Sequence, residues 1–254
     1  MSKIAIVTGA SSGMGEQFVR KIFELNEVDE IWAIARRADR LRLLEEKYPS
    51  VKALPLDLTV TEQIDELVEK VKMSGNSVKY LVNAAGFGKW GDYSQVTRKD
   101  YLGMVDLNAK ALLDITNQII PFMEKGAHII QMCSISSYLC LPHFSVYAAT
   151  KAFVLSHSYA LRDELKPRKI SVTAVSPGWV ETEFFNVADN GEVRMPKKFK
   201  PLLKPEAVVK KAIRDAKKNK PVSIKGLHWK MMHILGKIAP RTMAIVFWKT
   251  MLKK

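Results

Sequence analysis

Short apolar runs rich in Val and Ile alternate along the chain with longer stretches whose apolar residues recur every three or four positions. A continuous apolar run suits a strand buried on both faces, and the longer period suits a helix that turns one stripe toward a sheet. Strands are therefore predicted over 3–8, 30–35, 51–56, 80–83, 127–133, 170–175 and 221–224. Helices are predicted over about 13–26, 39–48, 61–73, 97–124, 145–166 and 206–217, the fourth with a break near Asn108. This alternation specifies the α/β class, with a doubly wound parallel sheet of about seven strands. Between 178 and 205 the periodicity fails and prolines stand at 196, 201 and 205, so a long loop acting as a substrate lid is expected there.

A chain of 254 residues that is 47% apolar can bury one large core, and a single domain over 1–225 is expected, followed by a tail over 226–254. Met1-Ser2-Lys3 leads straight into Ile4-Ala5-Ile6-Val7 and glycine-rich sequence rather than a secretory leader, so a cytoplasmic location is expected. Cys133 and Cys140, the only cysteines, are read as core thiols flanking the strand over 127–133. Neither they nor the five histidines have metal-ligand spacing, and no metal is assigned. The net charge of +14 is unevenly placed: the last 60 residues hold 17 Lys and Arg against Glu206 and Asp215, while the preceding 194 hold 23 against 24 acids. A segment so basic suits an anionic surface.

Candidate chemistry begins at the end of the first strand, where Gly9, Ser11, Ser12, Gly13, Met14 and Gly15 form a glycine-rich turn opening a helix. Glycines allow close backbone approach to a diphosphate, whose charge the helix N-terminus stabilises. At the end of the second strand, where an acidic residue would suit the ribose of NAD, Arg36 and Arg37 stand instead; their forked guanidinium groups suit the 2′-phosphate of NADP. A solvated helix start is the alternative reading of this pair. Tyr147 and Lys151 lie four residues apart, on one helix face, so the ammonium is expected to lower the phenol's pKa and fit it for proton transfer.

Together these residues resemble the short-chain dehydrogenase/reductase family over about residues 3–182. Asp57, followed by Leu58, is similar to the family's adenine-contacting aspartate, and Asn83-Ala84-Ala85-Gly86 resembles its Asn-Asn-Ala-Gly element, with Ala84 replacing the second asparagine. Asn108, Ser134, Tyr147 and Lys151 fall where the family keeps its catalytic tetrad. Pro177, Gly178, Val180 and Thr182 look like its nicotinamide-side turn. The resemblance implies a Rossmann-like fold, NADP(H) as cofactor, and interconversion of a ketone and a secondary alcohol. Tyr147 would be the general acid/base, Lys151 would bind the nicotinamide ribose, Ser134 would hold the substrate oxygen, and Asn108 would position a relay water. It also implies a homodimer or homotetramer.

Bulky apolar residues cluster where substrate is expected: Tyr138, His143 and Phe144 before the catalytic helix, and Trp179, Phe184, Phe185 and Phe199 in the lid. They suggest a small hydrophobic carbonyl or alcohol substrate, steroid-like or long-chain. Three uses of the tail over 227–254 stay open: peripheral contact with an anionic membrane, closure over the pocket, and packing on another subunit. No nucleic-acid motif accompanies its charge, which argues against that partner. A non-catalytic dinucleotide-sensing or membrane-recruited protein is the competing reading of the whole chain.

Overall fold

The computed structural model describes residues 2–189 and 201–253, without the side chains of Met251 and Lys253. Seven parallel strands form one sheet in the order β3-β2-β1-β4-β5-β6-β7. They are β1 (Lys3–Thr8), β2 (Glu30–Ala35), β3 (Val51–Pro55), β4 (Ser77–Asn83), β5 (Met123–Met132), β6 (Ser171–Val175) and β7 (Val222–Ser223). Successive side chains of a strand point to opposite faces, and both faces here are apolar. Ala5 and Val7 of β1 join one core layer, whereas Ile4 and Ile6 join the other.

Helices α1 (Gly13–Leu25) and α8 (Pro205–Lys217) cover the first face through Phe18, Val19 and Ile22 and through Val209, Ala212 and Ile213. The second face is covered by α3 (Thr61–Ser74), α5 (Leu112–Ile119) and the end of α6 (Ser145–Glu164), which contribute Ile64, Leu67, Ile115, Ile119 and Leu161. Helix α2 (Ala38–Lys47) packs beside β3 at the sheet's edge.

Some predicted boundaries need correction. The strand expected over 80–83 begins at Ser77, and the one over 127–133 begins at Met123, because polar residues at their starts hide the extended runs. The helix expected over 97–124 is α4 (Arg98–Val105) and α5 joined by a π-helical turn, Asp106–Ala111, and it ends before Met123 enters β5. The anticipated break near Asn108 is thus a widened turn. The tail is two helices, α9 (Leu227–Ile238) and α10 (Arg241–Lys253). Within the expected lid, α7 (Phe184–Ala188) forms a short helix and Val180 bridges to Leu203, so the described part of that stretch is ordered into the fold. Pro196 and Phe199 lie outside the described residues.

The strand order reverses direction between β1 and β4, and in open α/β sheets the crevice at such a point, beyond the strands' carboxyl ends, is where ligands bind. β1 ends at Thr8, whose side-chain oxygen accepts from the amides of Ala84 (3.0 Å) and Ala85 (3.1 Å), tying the glycine loop to the end of β4.

Candidate active site

The glycine loop is built for close approach. Gly9 has a left-handed φ of +67°, and a Cβ there would come within 2.7 Å of the Ala85 amide nitrogen. A Cβ on Gly15 would fall 2.1 Å from the Gly9 carbonyl oxygen, so the loop could not fold back on α1 with any side chain at that position. Glu16 is the acid in the first turn of α1, and the loop presents the helix's N-terminal end to the crevice.

Arg37 reaches from the end of β2 into this loop. Its Nε donates to Ser11 Oγ at 3.1 Å and its Nη2 to Ser12 Oγ at 2.7 Å, while Nη1 donates to Glu183 Oε2 at 3.0 Å. Arg40 donates to the other oxygen of the same carboxylate at 2.6 Å. These hydrogen bonds from Arg40 and Arg37 hold the Glu183 carboxyl below the ordinary carboxylate range. Arg36 points outward, largely exposed, with Asp57 Oδ2 at 3.9 Å. Asp57 accepts from the amide and hydroxyl of Thr59, and Leu58 beside it is buried. The guanidinium pair facing the loop is therefore Arg37 and Arg40, with Arg36 set apart. Sequence reading missed both Arg40 and Glu183.

Asn83 donates to Thr116 Oγ1 (2.9 Å) and Gln131 Oε1 (3.0 Å), bracing β4 against α5 and β5. Ala84, where the family motif has a second asparagine, offers no side-chain bond, and the Thr8 hydroxyl ties the strand end instead. Fully buried Asn108, in the π turn, accepts from the Phe87 amide (3.0 Å) and donates to the Phe87 carbonyl (2.8 Å) and to Thr150 Oγ1 (3.2 Å). It clamps the segment after β4 onto α6. A Cβ on Gly86 would lie 2.8 Å from Asn108 Oδ1 and 3.4 Å from Lys151 Nζ, so the bare backbone there faces the lysine.

Tyr147 is buried between Phe144 (centroids 4.4 Å apart) and Phe184 (5.3 Å), with its hydroxyl near enough to Ser134 for that group to influence its ionisation. Ser134 follows β5 and caps the short 3-10 turn Ile135–Tyr138, accepting from the Ser136 amide at 3.2 Å. The expectation that Lys151 lowers the phenol's pKa is corrected here. Burial raises the Tyr147 pKa, the Ser134 hydroxyl opposes that rise only in part, and Lys151 Nζ is spent on the Met132 carbonyl at 2.7 Å, 5.7 Å from the ring centroid. Burial also brings Lys151 down to about 8 and pushes Cys133 up to about 12. Cys133 is the core thiol expected; Cys140 is only half-buried, in the loop leading to α6.

Ser134 and Tyr147 open into a cavity of about 130 Å³. Met14, Pro177, Gly178, Val180 and Thr182 line its cofactor side, and Leu139, Leu141, Phe144, Trp179, Phe184 and Phe185 line the rest. Of the uses left open for the tail, closure over the pocket is seen: His228, Trp229 and Met232 of α9 and Phe247 and Trp248 of α10 complete the wall. A Cβ on Gly178 would overlap the Trp229 ring at 2.0 Å, so this glycine is required by the packing of α9. Trp248 donates to the Pro142 carbonyl at 3.0 Å, fixing α10 over the loop before α6. Two expected substrate contacts lie elsewhere. Tyr138 faces the His233 ring at 4.3 Å, and His143 stacks on Trp90 at 5.9 Å in a left-handed conformation; neither lines the cavity.

A nicotinamide dinucleotide fits the residues present. The bare backbone of the loop suits a diphosphate, and the chain's own Glu183 carboxylate on Arg37 and Arg40 demonstrates an anion site at the end of β2.

A sequence model of the short chain dehydrogenase family matches residues 3–192. An uncharacterized oxidoreductase of Staphylococcus aureus (strain MRSA252) is 34% identical over 187 residues, covering 71% of this chain and 79% of its own length. Sulfoacetaldehyde reductase 2 of Chromohalobacter salexigens is 32% identical over 202 residues, covering 76% and 78%. Among solved structures, a short-chain dehydrogenase from Sphingobium yanoikuyae in complex with NADPH superposes with a TM-score of 0.79 at 26% identity, covering 100% of this chain and 95% of that one. Sequence, topology and the gathering of the motif residues at one sheet edge agree, and the chain belongs to the short-chain dehydrogenase family of nicotinamide-dependent oxidoreductases.

Proposed function

We propose that this protein is an NADP(H)-dependent oxidoreductase that interconverts a hydrophobic ketone and its secondary alcohol. The observation that carries the reading is the opening of the Ser134 and Tyr147 hydroxyls into a cavity walled by aliphatic and aromatic side chains, beside the glycine loop. The nicotinamide, when bound, supplies hydride to the carbonyl carbon, and the chain supplies the proton and the alignment. Ser134 Oγ holds the carbonyl oxygen where negative charge develops, next to Tyr147 Oη, which delivers the proton. Burial keeps the phenol protonated, the form that donates. Lys151, with its pKa brought to about 8, can give up and recover a proton near neutrality, and Asn108 fixes the backbone of the Phe87 segment beside it.

The cavity's chemistry supports the substrate class. None of its described lining residues is Lys or Arg, so the sulfonate implied by the name of the Chromohalobacter relative would meet no basic side chain but His228. Steroid-like and long-chain ketones fit such walls better. NADP is favoured by Arg37 and Arg40, and the NADPH-bound Sphingobium relative is consistent with it. The test is consumption of NADPH and of NADH with a panel of long-chain ketones, steroid ketones, sugars and small sulfonated aldehydes. Turnover with NADPH and the lipophilic ketones is expected; preference for the polar compounds would overturn the assignment.

A further inference from the structure

We propose that α9 and α10 form a docking surface for an anionic lipid bilayer. Each helix is apolar on two opposite sides. In α9 the inward side places Trp229 and Met232 against the cavity and Gly236 against Tyr138. Its outward side carries Leu227, Met231, Ile234 and Ile238, spaced by three or four residues and each more than half exposed. In α10, Ala244 and Trp248 are buried, while Met243 (62% exposed), Val246 (65%) and Phe247 (47%) face outward. Both helices wall the same cavity: in α9 the exposed stripe lies opposite the wall residues, and in α10 Phe247 belongs to the wall and to the edge of the exposed stripe.

The charge around these stripes selects the occupant. Lys225, Lys230, Lys237, Arg241 and Lys249 accompany them, and no Asp or Glu follows Asp215 in the chain. An ordinary solvated helix such as α3 carries both signs on its outer side, among them Glu62, Glu66, Glu69, Lys70 and Lys72. A helix whose apolar face is bordered only by cations matches the interface of a bilayer, where acyl chains take the apolar side chains and acidic headgroups take the lysines. A symmetric pairing of two copies through this stripe would gather the Lys230 and Lys237 side chains of both copies at one interface, with no carboxylate from these helices to offset them. Among the described residues no helix is long and apolar enough to cross a membrane, so the contact is peripheral. Docked in this way, the helices that wall the substrate cavity lie on the lipid surface.

The experiment is co-sedimentation of the full chain with vesicles of phosphatidylcholine alone and of phosphatidylcholine and phosphatidylglycerol in equal parts. Binding is expected to the mixed vesicles only, and to fall steeply with added salt. The paired change Ile234→Glu with Ile238→Glu should abolish it. Lys230→Gln with Lys237→Gln should weaken partition about thirtyfold, since each basic residue near an anionic leaflet contributes roughly fivefold. All four side chains are exposed and none lines the cavity, so NADPH binding by the variants serves as the check on folding. Failure of the intact chain to sediment with the mixed vesicles overturns the proposal, as does equal binding to both vesicle types. So does light scattering that finds a dimer dissolved by the isoleucine changes, which assigns the stripe to a second copy. None of these outcomes depends on whether the chain reduces ketones.

Discussion

The guanidinium of Arg37 spans from Ser11 and Ser12 in the glycine loop to Glu183 in the segment after β6, and Arg40 holds the same carboxylate. A 2′-phosphate placed on this pair would exchange one anion for another of higher charge, and Glu183 would oppose it. Arg37→Ala should therefore weaken NADPH binding about tenfold to a hundredfold, the size of one or two charge-assisted hydrogen bonds, and change NADH binding little. Glu183→Gln should act in the opposite direction and tighten NADPH selectively, by up to about tenfold given its partial exposure. Fluorescence titration with each cofactor checks both, and an equal loss of NADPH and NADH affinity in the arginine variant would remove it from cofactor choice.

Among the elements, α8 is fastened to the sheet's last strand by a buried charge. Asp215 is fully buried; burial opposes its ionisation, but Lys211 at 2.5 Å and Ser223 of β7 at 2.8 Å hold its carboxyl below the ordinary range. Asp215→Asn leaves Lys211 without its counter-charge and should cost about 3–5 kcal/mol, read as a lower urea midpoint with the slope unchanged; a loss under about 1 kcal/mol would contradict this role. The strands of this sheet were legible because runs such as Ile4-Ala5-Ile6-Val7 must be buried on both faces. The starts of β4 and β5 were not, since Ser77, Lys79, Glu124 and Lys125 read as loop until their neighbours pair with them. The tetrad was legible through spacing and motif. Glu183 and Trp229 were not, because their roles depend on contacts with residues remote in sequence: 146 positions separate Glu183 from Arg37, and Trp229 meets Gly178 across the loop and α8.

For the whole molecule, two partly buried groups, Glu27 in the turn before β2 and His128 on β5, contribute to its acid sensitivity. Burial disfavours ionisation of Glu27, but hydrogen bonds from Lys217, Tyr80 and Lys79 prevail and bring its pKa to about 2, so the stability it contributes is complete above about 4.5 and is lost as pH falls toward 2. His128, bonded to Ser171 at 2.6 Å, is held neutral by burial with a pKa of about 4 against an ordinary 6.5. The unfolded chain takes up that proton first, so stability should decline from pH 6.5 to 4 by roughly 2 to 3 kcal/mol on this account. Urea midpoints at several pH values check it, with His128→Gln expected to flatten the slope in that window; an unchanged slope would reassign it.

The claim on which the functional account rests is that Tyr147 Oη donates the proton inside an apolar cavity. It is tested most directly by Tyr147→Phe, assayed for ketone-dependent NADPH oxidation alongside NADPH binding. Turnover should fall by about a hundredfold to ten-thousandfold with cofactor affinity within about twofold of the parent; turnover retained in the phenylalanine variant would contradict the account.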